Sequence, residues 1–204
     1  MIELRRGSIF NTTAQTIVNP VNTVGVMGNG LALTFKIMFP KMFEKYKKFC
    51  REGKFSVGQL WLYKDSKYWY VLNFPTKKHY LDFSELAWID MGLRNLANTY
   101  EQRGITSLAI PYLGCGKGEL NKDDVYELIN KYLGNINIPV ELWEYDPEVG
   151  NPIWDKLFTA CYNENTVLKR VIRNCGGFPE LIKRPGINKD RVGYQINKII
   201  QFEL

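Results

Sequence analysis

The stretch that decides the fold is TIVNPVNTVGVMGNGLALTFK, which spans residues 16–36. It begins with the short run Thr16–Asn19, which is typical of a buried strand. A glycine-rich segment at residues 25–30 follows and leads directly into helical spacing from Leu31. Glycines let the backbone approach a ligand closely, and free amides at the start of a helix attract phosphate. The stretch therefore predicts a strand, a phosphate-binding turn and a helix.

The same order of elements recurs at residues 107–133. A buried strand is predicted at 107–110, a second glycine-rich turn lies at 114–118, and Asn121 is expected to cap a helix that ends at Leu133. Two such turns facing each other could clamp a diphosphate. Neither turn has the GxGxxG pattern or the GxxxxGK[ST] pattern, which argues against a Rossmann dehydrogenase and against an NTPase.

The rest of the first 150 residues alternates between strands and helices. A helix is predicted at about 40–51, and a longer one from a Ser84 cap to about Arg103, closed by Gly104. Further strands are predicted at 2–5, 59–63, 68–74 and 140–145, with a hairpin turn at 65–67 and a loop at 75–80. This alternation predicts an α/β protein, a three-layer α/β/α sandwich around a mixed sheet.

A break in the pattern at residues 146–152 suggests a boundary. We therefore expect one domain at 1–149 and a small, mostly helical, basic extension at 150–204 that packs on it. The chain has a net charge of +6, and residues 151–204 hold nine Lys and Arg against five Asp and Glu. This balance favours anionic partners such as nucleic acid, although a solvated basic face is an equally good interpretation.

Several classes of protein are disfavoured by composition. No run of about 18 apolar residues exists, and the N-terminus lacks an apolar signal region, so we expect a cytoplasmic protein with no membrane partner. The four cysteines form no CxxC pair and the chain has one histidine. We therefore expect no metal site and no disulfide framework, and interpret the cysteines as free thiols.

Three segments together resemble macrodomains. Residues 17–32 are similar to the first loop of that family, in the form found in DarG antitoxins. Residues 110–116 resemble the second, phosphate-binding loop, and residues 73–79 resemble the lysine loop shared by DarG and the terminal ADP-ribose glycohydrolase branch. The segments come in the family's order and, with the elements between them, cover about residues 1–147. The resemblance implies a macrodomain-type sandwich.

The resemblance also implies ADP-ribose as ligand and product, with no cofactor. The diphosphate would lie between residues 25–30 and 114–118, and Asn22 would lie near the distal ribose. From the residues alone, Asn22 is more simply interpreted as a turn residue that bonds its own backbone. The implied ligand residues are Ser8, Ile9, Asn19, Asn22, Gly25, Val26, Met27, Gly28, Gly30, Leu31, Thr76, Tyr112, Leu113, Gly114, Cys115, Gly116, Lys117 and Gly118.

Lys77, which follows Thr76, matches the catalytic lysine of the related branch. The resemblance implies that its amine attacks the anomeric carbon of the distal ribose, and an amine must be neutral to do so. Partial burial and a positive neighbour both lower the pKa of a lysine, and Lys78 could supply that charge. Lys78 is the alternative nucleophile, and Glu119 is a candidate acid–base group. His79 is better interpreted as a loop histidine than as a proton shuttle.

The chain departs from the family in two places. Ser8 stands where many macrodomains have an acidic residue that reads adenine, so adenine selectivity is expected to be weaker. Gly118 stands where the terminal ADP-ribose glycohydrolase has an aspartate that resolves the lysine adduct, which favours the DarG-like branch.

Three functions follow as hypotheses. The first is an ADP-ribosyl glycohydrolase that acts on modified DNA bases or on protein carboxylates. The second is a reader that binds ADP-ribose without turnover, and the third is an antitoxin that sequesters an ADP-ribosyltransferase toxin. Lys77 separates the first from the second, because a reader needs no nucleophile there.

Overall fold

The computed structural model describes residues 1–64, 69–146 and 148–149. It contains four helices and six strands in those ranges. The helices are α1 (Gly30–Met38), α2 (Pro40–Arg51), α3 (Leu86–Thr99) and α4 (Lys122–Leu133), and a 3-10 turn spans Ile9–Asn11. The strands are β1 (Ile2–Gly7), β2 (Thr16–Asn22), β3 (Trp61–Lys64), β4 (Tyr70–Lys77), β5 (Leu108–Pro111) and β6 (Val140–Tyr145). The predicted extension at 150–204 and the turn at 65–67 lie outside the described residues.

The strands form one mixed sheet in the order β1-β6-β5-β2-β4-β3. Only the pairing of β3 with β4 is antiparallel, and the other four pairings are parallel. Successive residues of β2 show how the layers arise: Ile17 packs on one face with α1 and α2, and Val18 packs on the other with α3 and α4. Both side chains are fully buried. The predicted three-layer sandwich is confirmed.

Helix ends follow the predicted chemistry only in part. Pro40 opens α2, and the Asn121 side chain accepts hydrogen bonds from the first amides of α4. The predicted Ser84 cap is wrong, because α3 begins after Glu85 and the Ser84 hydroxyl makes no cap bond. The helix also ends at Thr99 rather than Arg103, and a turn closed by Gly104 with φ +70° follows.

Strand β4 is longer than the sequence predicts. The predicted loop at 75–80 is wrong for its first three residues, because parallel pairing with β2 continues through Lys77. A register shift between Val21 and Asn22 brings Asn22 opposite Lys77. The candidate nucleophile is therefore fixed at the end of a central strand rather than carried on a loop. No helix in the described part of the chain is long and apolar enough to span a membrane.

Candidate active site

Four predicted site segments lie along one edge of the sheet. In a parallel sheet the carboxyl ends of the strands meet at the same edge, where ligands bind in α/β folds. Ser8 follows β1, residues 114–118 follow β5, residues 25–30 follow β2, and Lys77 ends β4. From β1 to β4 is four strand spacings, about 19 Å. We call residues 23–30 loop 1 and residues 112–120 loop 2; they leave the adjacent strands β2 and β5.

Loop 1 is held in shape by the Asn22 side chain. Its Oδ1 accepts hydrogen bonds from the amides of Val24 (3.1 Å) and Val26 (3.2 Å), and its Nδ2 donates to the Val26 carbonyl (2.6 Å). The buried Tyr46 hydroxyl lies beneath, 2.7 Å from the Asn22 carbonyl and 3.0 Å from Oδ1. Burial raises the pKa of Tyr46 far above its ordinary value, so it stays a donor. Asn22 thus has the turn geometry, and its contact with ribose stays a prediction.

The outer part of loop 1 is open. Gly28 is exposed, and a Cβ placed there would meet only a Val26 methyl at 3.7 Å. Within the described residues, the amides of Met27, Gly28 and Asn29 donate no hydrogen bond to protein. Three free amides before the first turn of α1 form a concavity suited to an anion.

Loop 2 is packed much more tightly. A Cβ on Gly118 would lie 2.2 Å from Ser84 Oγ and 2.3 Å from the Gly114 carbonyl oxygen, and one on Gly114 would lie 2.7 Å from the Leu120 side chain. The Ser84 amide donates to the Gly118 carbonyl (3.0 Å). The packing of this loop therefore leaves no room for an aspartate side chain at position 118. The Gly116 and Lys117 amides make no hydrogen bond within the described ranges, and both residues are exposed, so these amides too can receive an anion.

Lys77 joins β4 to loop 2. Its side chain is 9% exposed, and its Nζ donates to the Lys117 carbonyl. Burial lowers the pKa of Lys77, and the nearby Lys117 charge lowers it further, while Asp82 and Glu119 act in the opposite direction. The expectation that Lys78 lowers this pKa is wrong. Lys78 points elsewhere, with its Nζ 5.1 Å from the centre of the Trp88 ring.

Two carboxylates lie near the Lys77 amine. The charges of Asp82 and Glu119 both act on Lys77, and that of Asp82 acts more strongly. Sequence analysis named Glu119 but missed Asp82, which an inventory of acids near the lysine loop would have found. Glu119 has φ +60° without being glycine, a conformation that costs about 1 kcal/mol and is concentrated at functional sites. His79 is engaged locally, since its Nδ1 accepts from the Leu81 amide (3.3 Å).

The other predicted ligand residues fall into two groups. Fully or largely buried under the edge are Ser8, Ile9, Asn19, Met27, Thr76 and Leu113, whose side chains support the loops. Asn19 Nδ2 donates to Asn73 Oδ1 (3.0 Å) across β2 and β4, and its own Oδ1 has no partner among the described residues. Accessible or partly accessible at the edge are Val26, Gly30, Leu31, Tyr112, Cys115, Gly116 and Lys117, whereas Gly25 is buried against α2.

The cysteines and acids of the described ranges form no metal cluster: no group of three or more His, Cys, Asp or Glu is placed to hold an ion there. Cys50 and Cys115 are free, and burial raises the pKa of each thiol to about 11. Cys115 lies in loop 2 as an un-ionised thiol, 3.6 Å from the Leu113 carbonyl. Cys161 and Cys175 lie outside the described residues.

Known proteins are similar to this chain in sequence and in fold. The sequence pattern of the Macro domain family matches residues 18–129. The chain belongs to the Macro domain family. The macrodomain of Mycobacterium tuberculosis DarG superposes with a TM-score of 0.68 at 35% identity, over 72% of this chain and 99% of that one. The structure of Thermosipho africanus DarTG in complex with ADP-ribose superposes with a TM-score of 0.66 at 36% identity. The match covers 74% of this chain and 43% of that one.

Curated relatives carry functional names. The DNA ADP-ribosyl glycohydrolase of Thermus aquaticus is 37% identical over 155 residues, which is 74% of this chain and 42% of the relative. A second relative, from Thermosipho africanus, is named a DNA ADP-ribosyl transferase-DNA ADP-ribosyl glycohydrolase fusion protein. It is 35% identical over 161 residues, and the match covers 70% of this chain and 41% of the relative. The chain thus spans about two fifths of the length of these relatives.

Proposed function

We propose that this chain is an ADP-ribosyl glycohydrolase that releases ADP-ribose from modified DNA bases, with Lys77 as the nucleophile. The observation that carries the proposal is the place of Lys77: a buried amine at the end of a central strand, opposite Asn22 and bonded to loop 2. A reader of ADP-ribose has no need of an amine whose pKa is lowered by burial at this point.

The order of groups along the sheet edge supports ADP-ribose as ligand. Ser8 lies at the β1 end, the two loops with free amides lie in the middle, and Lys77 lies beyond them at β4. ADP-ribose has adenine, diphosphate and distal ribose in the same order. The middle of the edge suits the diphosphate, because both loops offer amides without protein partners in the described part of the chain.

The reaction we propose needs lysine and water and no cofactor. The neutral Nζ forms a bond to the anomeric carbon of the distal ribose, and the bond from that carbon to the modified base breaks with its electron pair. The new ammonium at Nζ loses a proton and the leaving base gains one, and we propose that Asp82 or Glu119, whose charges act on Lys77, relays this proton. Water then displaces the lysine from the same carbon, which frees ADP-ribose and regenerates the amine.

Release of ADP-ribose from two substrates tests the proposal. The wild-type chain should free ADP-ribose from ADP-ribosylated single-stranded DNA faster than from protein carrying ester-linked ADP-ribose, at low salt and equal concentration. Free ADP-ribose is quantified by chromatography. Much faster turnover of the protein substrate would contradict the DNA assignment while leaving the lysine chemistry intact, and no turnover with tight ADP-ribose binding would support the reader instead.

Besides its DNA substrate, we propose a DNA ADP-ribosyl transferase as a protein partner. The specific observation is the Thermosipho africanus relative, whose name joins a transferase and a glycohydrolase in one chain. Co-expression with such a transferase and purification by a tag on this chain tests the contact. Recovery of both proteins in a fixed ratio after gel filtration is the expected result, and recovery of this chain without the transferase contradicts it.

A further inference from the structure

The segment after Lys77 exposes an apolar patch at the rim of the candidate site. We call residues 78–83 the rim segment. It presents Tyr80, Leu81 and Phe83, which are 48%, 75% and 63% exposed. Single exposed apolar residues are ordinary, but three within four positions beside a candidate nucleophile form a patch of the kind that marks a binding surface.

The rim segment is anchored at both ends. Thr23 of loop 1 donates from its amide (3.1 Å) and its hydroxyl (2.8 Å) to the Lys78 carbonyl. At the other end the Ser84 amide donates to the Gly118 carbonyl of loop 2 (3.0 Å). The apolar side chains are therefore held at a fixed place between the two loops.

Local contacts within the rim segment bring two of its rings together and fix its turn. The His79 and Tyr80 rings have centroids 4.2 Å apart and planes inclined by 34°. The Leu81 amide bonds to His79 Nδ1 (3.3 Å) and the Asp82 amide to the His79 carbonyl (3.2 Å), which fixes the turn. The exposed charged residues nearby are Lys78 and Asp82 in the segment and Lys117 and Glu119 in loop 2.

We propose that the rim segment binds the nucleotides next to the modified base, with their bases stacked on Tyr80 and Phe83. This inference rests on the proposed function. Aromatic side chains stack any base, and flanking cations attract the phosphates between them. The strand must be single-stranded here, because bases in a duplex are already stacked on each other. Among candidate occupants, a DNA strand suits this surface because the exposed rings adjoin the place where the modified base would lie.

The test compares an oligonucleotide with a single nucleotide. Release of ADP-ribose is measured for a single-stranded oligonucleotide with one ADP-ribosylated base and for the same modified base as a mononucleotide. The readout is the ratio of the two kcat/KM values. Each of Tyr80→Ala and Phe83→Ala should lower this ratio about tenfold, mainly through the KM of the oligonucleotide, while Tyr80→Phe and Phe83→Tyr retain the wild-type ratio.

Leu4→Ala is the matched control. Leu4 is 61% exposed on β1, four strands from β4, so its removal should leave the ratio unchanged. Binding of free ADP-ribose and thermal unfolding show that each variant is folded. A wild-type ratio in both alanine variants would overturn the rim proposal while the glycohydrolase function stands. Loss of turnover on modified protein but not on DNA would also overturn it, and a wild type inactive on both nucleic-acid substrates would refute the proposed function itself.

Discussion

The two glycine-rich loops have similar sequences but are held by different forces. Loop 1 takes its shape from side-chain hydrogen bonds, with the Asn22 amide and the Tyr46 hydroxyl beneath it. Loop 2 takes its shape from close packing, since Gly114 and Gly118 have no space for a Cβ. Gly28 of loop 1, by contrast, has room for a Cβ, which would make only an ordinary contact with a Val26 methyl at 3.7 Å. A glycine in a loop can thus serve a ligand or serve the fold, and only the surroundings tell which.

The loops also differ in charge. Residues 25–30 of loop 1 carry none, whereas loop 2 brings Lys117 and Glu119 close enough to act on the Lys77 amine. In the proposed function, loop 1 would serve binding alone, whereas loop 2 would also influence the protonation of Lys77.

The largest expected effect is that of Gly28→Glu in loop 1. The free protein has room for the new side chain, but its bulk and negative charge would occupy the proposed diphosphate site. Calorimetry should show ADP-ribose affinity reduced by at least about 100-fold, or ~2.7 kcal/mol, with little change in the unfolding temperature. Unchanged affinity in a folded Gly28→Glu protein would show that the diphosphate lies elsewhere.

In loop 2, Gly118→Ala should act on stability. The added methyl would meet Ser84 Oγ and the Gly114 carbonyl, neither of which is the end of a long flexible side chain. Overpacking of this kind costs about 1–3 kcal/mol in the free energy of unfolding, measured by urea titration. The matched variant Gly28→Ala should cost little. Equal stability of the two variants would remove the distinction between the loops.

The smallest effect concerns the charges of loop 2. Glu119 raises the pKa of Lys77, so Glu119→Gln should lower it and move the acid limb of the rate–pH profile to lower pH. Lys117→Ala should move the limb the other way. Both shifts are small, because the two side chains are exposed and screened by salt. A fall of about 100-fold in the plateau rate of Glu119→Gln would instead make Glu119 the acid–base group.

Local patterns predicted most of the framework. Strand–turn–helix order located both loops and the three layers, and the family resemblance singled out Lys77. What was missed depends on contacts between distant parts of the chain. Ser84 resembles a helix cap in the sequence, yet it packs under Gly118, which lies 34 positions away.

The surroundings of Lys77 also depend on contacts between distant parts of the chain. Lys78 is its neighbour in sequence, but it lies just beyond the end of β4, and its Nζ lies over the Trp88 ring instead. The cation that acts on Lys77 comes from loop 2, forty residues along the chain. The extension of β4 to Lys77 depends on its pairing with β2, which the sequence of β4 alone does not predict.

Reductive trapping tests the role of Lys77 most directly. Attack by its amine would leave a glycosylamine on the anomeric carbon, and the open-chain imine form of this adduct is reduced by cyanoborohydride to a stable amine. Peptide mass spectrometry after turnover of modified DNA should find one ADP-ribose on Lys77, and Lys77→Ala and Lys77→Arg should show neither adduct nor release, because a guanidinium stays protonated. Full release of ADP-ribose by Lys77→Ala, with no adduct on the wild-type lysine, would contradict the account.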